Sequence, residues 1–114
     1  MNNDFTTKNI QAYEIHILQT FKQALLMNPP ENSASLIDEL SEMITKLQTK
    51  EFPGINLEVV SYKFYMSMYD KYIFEKIILT RNQSHCWDTF VDFVNHQRMG
   101  ERSLMAYWIG LPAF

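Results

Sequence analysis

The chain has a single cysteine, Cys86, so no internal disulfide can form. Its three glycines, Gly54, Gly100 and Gly110, are scattered. That excludes the common Gly-rich phosphate loops and dinucleotide fingerprints, which need glycines close together. No apolar stretch approaches the ~18 residues of a membrane span, so no membrane partner is expected. The opening MNNDFTTKNI lacks a basic segment followed by an apolar run, and no signal peptide is expected. A reducing, cytoplasmic setting follows, in which the sequon Asn82-Gln83-Ser84 is a chance match.

Charge of one sign is also missing. Ten basic and thirteen acidic residues give a net charge of −3. Residues 1–50 carry four basic and six acidic side chains, and residues 51–114 carry six and seven. Without a basic cluster, duplex nucleic acid is not an expected partner.

What is present is apolar: 46% of 114 residues, enough for a core and too much for a disordered chain. The length fits one compact domain over residues 1–114. Pro29-Pro30 and Pro53-Gly54 break the chain into three pieces. In the first, Ile10, Tyr13, Ile17, Phe21 and Ala24 recur at helical spacing and predict a helix from about Thr7 to Met27. In the second, Leu36, Leu40, Met43 and Leu47, widened by Ile37 and Ile44, predict a helix from Ser35 to about Lys50. Ser35 and Asp38 have the spacing of a capping box at its start.

The third piece opens with Leu57 to Leu79, which holds six aromatics and two methionines between Tyr62 and Phe74. Val60, Tyr62, Phe64, Met66 and Met68 alternate with Val59, Ser61, Lys63, Tyr65 and Ser67. Alternation rich in Val, Ile, Tyr and Phe predicts strands, paired as an antiparallel hairpin over about 57–80 with its turn at Asp70-Lys71. That turn lacks the usual glycine. After Arg81-Asn82-Gln83, a helix is predicted from a Ser84 cap to a stop at Gly100, with Trp87, Phe90, Val91 and Val94 on its apolar face. A short helix from Ser103 follows, with Phe114 folding back. The expected fold is therefore α+β: two N-terminal helices, the hairpin, then two C-terminal helices. The alternative is an all-α bundle with 57–80 as a long central helix.

In the hairpin reading Lys63, Tyr65, Tyr69, Tyr72, Phe74 and Lys76 share the outer face. Tyrosine offers contact area with few rotors and a polar tip, which suits an interface. His85, Asp88, Asp92 and His96 line one side of the following helix. They cannot converge on one ion, because His85 and His96 stand ~16 Å apart at 1.5 Å rise per residue. No metal site is assigned; Asp88 and Asp92 join the partner-binding surface as an acidic stripe. His85 and Cys86 are adjacent and point apart, and His16 has no matching nucleophile, so no catalytic residue and no cofactor are expected. The functional expectation is a non-enzymatic protein-binding module: a small inhibitor, immunity-type or adaptor protein that occupies a partner's surface. The partner is another protein, or a second copy bound through the hairpin edge or aromatic face. The alternative is a small-ligand or single-stranded nucleic-acid binder that uses the aromatic/lysine sheet face.

Overall fold

The structure, a computed structural model, describes residues 3–100, and within them the side chains of residues 9–96. The order is α1 (Asn3–Met27), α2 (Ala34–Thr49), α3 (Ile55–Phe74) and α4 (Arg81–Gly100). No strand occurs among the described residues. The α+β expectation is thus overturned. The described residues form an all-helical bundle, the alternative class, although the third helix ends at Phe74 instead of running to 80. The predicted helix from Ser103 and the Phe114 fold-back lie outside the described residues.

The reason for the failed hairpin is visible in the residue spacing. Val60, Phe64 and Met68 form one row at i+4, and Tyr62 and Met66 begin another. Two helical rows an even number of residues apart read as strand alternation. Asp70 and Lys71, the expected turn, lie inside α3. A lone hairpin would also have left both edges unpaired and been marginal, whereas a helix satisfies its own backbone and buries Leu57, Ser61, Phe64 and Met68.

Successive helices are neighbours, and α4 closes against α1. α1 and α3 therefore stand diagonally across the bundle. The predicted core residues Leu36, Leu40, Met43, Leu47, Trp87, Phe90 and Val94 are all buried, with Leu18, Phe21 and Leu25 from α1. Trp87 is the aromatic centre. Its ring lies 6.0 Å from Phe21, 5.8 Å from Tyr65, 5.9 Å from Tyr72 and 6.0 Å from Phe90.

The helix ends use different chemistry from that expected. α2 begins at Ala34 after Ser33, whose Oγ donates to the Pro30 carbonyl at 2.6 Å. Ser35 and Asp38 are exposed, and no capping box forms there. The capping box belongs to α4 instead, one turn before the expected Ser84 cap. Thr80 Oγ1 accepts from the Gln83 N–H at 3.2 Å, and Gln83 Oε1 accepts from the Thr80 N–H at 2.9 Å. α4 also continues through Gly100, the residue expected to stop it.

Two buried glutamines tie the connections to the bundle. Gln11 Nε2 donates to the carbonyls of Leu47 (2.8 Å) and Lys50 (2.7 Å), and its Oε1 accepts from the Phe52 N–H at 3.0 Å. Gln83 Nε2 donates to the carbonyls of Ala24 (3.0 Å) and Asn28 (2.9 Å). Each amide thus satisfies backbone groups that a helix end leaves without an intrahelical partner.

α3 closes with a Schellman motif. The Lys76 N–H donates to Ile73 O and the Ile77 N–H to Tyr72 O, each at 3.1 Å, and Ile77 is buried behind them. Lys76 takes the left-handed position at φ 53°, where glycine is at no disadvantage. A Lys76→Gly change should raise the unfolding free energy by about 0.5–1 kcal/mol. Chemical denaturation measures this; a loss of stability would contradict the assigned end geometry.

Candidate functional site

α3 has two apolar sides. One is the core face. The other follows Ile55, Val59, Tyr62, Met66, Tyr69 and Ile73, a 4-3-4-3-4 spacing. That is the spacing of a seam along which one helix can lie against another, because a 3.5-residue repeat keeps one stripe pointing the same way. Ile55, Val59 and Tyr62 are half-buried, while Met66, Tyr69 and Ile73 are 40%, 41% and 53% exposed. Phe74 and Ile78 continue it at the helix end, 80% and 84% exposed. Met27, at the end of α1, is as exposed as Phe74. Gln83 holds Asn28 and Thr80 together, so Met27 and Ile78 emerge at the same end of the bundle. These exposed apolar side chains make the outer side and end of α3 the candidate contact surface.

The residues expected on one hairpin face are divided by the helix. Tyr65 and Tyr72 are not outer-face residues: both are half-buried against Trp87, with the Tyr65 and Trp87 planes at 19°. Tyr69 stacks on Tyr65 at 6.1 Å and keeps an accessible edge. Phe74 is exposed. Lys63 is exposed on the α2 side of the seam, where it borders a shallow groove with Glu39, Glu42 and Lys46. Lys76 is exposed at the helix end. Asp88 and Asp92 sit on the solvent side of α4, opposite Trp87, Phe90 and Val94, and do not join the α3 seam. Met66, Ile73 and Ile78 were absent from the expected site, because the strand reading assigned Met66 and Ile73 to the core. Heptad spacing is the signal that finds Met66 and Ile73; Ile78 lies past the end of α3 and off that spacing.

Two other clusters bear on chemistry. Among the described residues no group of three His, Cys, Asp or Glu side chains could hold a metal ion. The His96 ring Nδ1 lies 3.3 Å from the Asp92 carbonyl, a contact within one turn of α4. The second cluster crosses the bundle diagonal. Ser61 Oγ donates to Glu14 Oε1 at 2.8 Å, and both residues are fully buried. Burial pushes the Glu14 carboxyl up to about 7 from an ordinary 4.5, against the lowering effect of the Ser61 bond. A serine bonded to a carboxylate resembles a nucleophile with its base. With neither group reachable by solvent, however, no substrate can meet it. Cys86 is likewise buried, and burial raises its thiol pKa, which makes it an inert packing residue.

No family model matches the chain, and no curated protein and no solved structure matches it either. No helix among the described residues is long and apolar enough to cross a membrane.

Proposed function

We propose that this protein is a non-enzymatic binding module that presents the outer seam of α3 to another protein, acting as a small inhibitor, immunity-type or adaptor protein. The observation that carries the reading is the seam itself. Met66, Tyr69, Ile73, Phe74 and Ile78 are exposed outside the buried core that the described residues form behind them. Their spacing suits a helix laid alongside, the recognition mode in which one apolar stripe fills another's groove. The tyrosine and the large aliphatics supply contact area, and the surrounding Lys63, Asp70 and Lys76 form a polar rim.

Ile73→Asp tests this. The position is more than half exposed, so the melting temperature should hold within a few degrees, whereas a charge in the seam should weaken association by roughly a hundredfold. Affinity capture from the source cells, compared quantitatively between the native and Ile73→Asp chains, reads the effect. Phe74→Asp is the second variant, in case the first fails to fold. Identical capture profiles for native chain and folded variants would reject the seam as the binding surface.

A further inference from the structure

We infer that the occupant of the α3 seam is a second copy of this chain, with the two α3 helices antiparallel about a two-fold axis between Met66 and Tyr69. This rests on the reading of the seam as a binding surface and names its partner. The argument is self-complementarity, which a two-fold interface demands of a single patch.

Written as a heptad, Val59, Met66 and Ile73 take the a positions, and Ile55, Tyr62 and Tyr69 the d positions. Antiparallel helices set a against d. In the register that places Met66 against the second copy's Tyr69, Ile73 meets Tyr62. On the α2 flank of the seam stand Asn56, Lys63 and Asp70, all exposed. This register brings Lys63 of each copy opposite Asp70 of the other, giving two ion pairs by symmetry. On the flank nearer α4 it sets Tyr65 of each copy beside Tyr72 of the other.

The competing arrangements lack this match. Sliding the helices to centre the whole seam sets Lys63 against Lys63. A parallel pair would need Glu58 to meet Lys63, but Glu58 is buried in its own bundle. It would also place Asp70 beside Tyr65, with no opposite charge. Opposite charges at such flanks set orientation and partner choice more than affinity.

The test uses the full chain in sedimentation velocity and light scattering over a range of concentrations. The native chain should show a concentration-dependent dimer. Lys63→Asp and Asp70→Lys each replace two attractive contacts by two repulsive ones and should weaken it by roughly tenfold or more. Both positions are exposed, so the monomers should stay folded. The decisive result is complementation. Lys63→Asp chains mixed with Asp70→Lys chains should form a mixed dimer, and the double variant K63D/D70K should dimerise like the native chain. A dimer in which the mixture is no tighter than either variant alone overturns the antiparallel register. A monomer at every concentration overturns the second copy as occupant. If Ile73→Asp still loses a captured protein, the seam reading stands and the occupant is that protein. If the chain is monomeric and Ile73→Asp alters nothing captured, both readings fall, and the chain's own residues 101–114 become the occupant to examine.

Discussion

A Gln83→Leu chain is expected to lose about 3–4 kcal/mol of stability, although the substitution conserves volume and adds apolar surface. Gln83 is 1% exposed, and all three of its side-chain contacts are to backbone groups. Leucine would strip a partner from the Thr80 N–H and from the carbonyls of Ala24 and Asn28. Each unsatisfied buried group costs about 1–3 kcal/mol, and the lower end applies here because two of the three contacts are only partly buried. Gln83→Glu separates this account from a simple capping effect. Glutamate serves a capping box as well as glutamine does, yet here it would turn a carboxylate oxygen toward two carbonyls. It should therefore destabilise at least as much as leucine at neutral pH. Urea unfolding of the two variants measures both. A loss below about 1 kcal/mol for Gln83→Leu, or a Gln83→Glu chain as stable as the native one, would show that the amide is not holding the α1 end to α4.

The fold was legible where one apolar face dominated. α2 has Leu36, Leu40, Met43, Ile44 and Leu47 on one side and polar residues on the other, and of its predicted apolar face only Ile37 is not fully buried. α4 was found for the same reason, with its start misplaced because Ser84 is a common cap residue and Thr80-x-x-Gln83 was passed over. α3 failed because it is apolar on two sides, so its amphipathic signal nearly cancels. The same property that made the segment ambiguous makes it the candidate site, since one side packs the bundle and the other is left over. The site was legible only in composition. Tyr69 and Phe74 are accessible, whereas Tyr65 and Tyr72 face Trp87, a contact between distant segments that no local pattern announces.

The buried polar groups were the least legible feature. Glu14 stands at helical spacing from Ile10, Ile17, Leu18 and Phe21, inside the apolar stripe of α1, but the sequence gives no sign of the partner it would need there. In the bundle it is fully buried, reaching across the diagonal to Ser61 of α3. Glu58, one turn before Ser61 on α3, is also buried. Glu14 Oε2 has no hydrogen-bond partner among the described residues, so the ionised form holds a charge with one oxygen desolvated and unpaired there.

This sets an unusual stability profile, whose sign follows from the pKa. The folded chain holds the Glu14 proton up to about pH 7, whereas the unfolded chain releases it near the ordinary 4.5. The folded state therefore binds more protons in that window, and stability must fall as pH rises through it. Below the lower value both states are protonated and Glu14 exacts no penalty. Above the upper value the penalty is full, about 3 kcal/mol for a difference of this size. Glu14→Gln should remove the dependence. Its amide oxygen can still accept from Ser61, and it carries no charge to desolvate. Relative to the native chain it should be stabilised by about 2–3 kcal/mol at about pH 8, and the two should converge at about pH 4.5. The gain stays below the full penalty because the amide N–H₂ would inherit the unpaired place of Oε2. Thermal or urea unfolding of both chains across this range isolates Glu14, since every other carboxylate contributes equally to the two curves. Parallel curves, or a Gln variant less stable at high pH than the native chain, would show that Glu14 is solvated or paired in the folded protein.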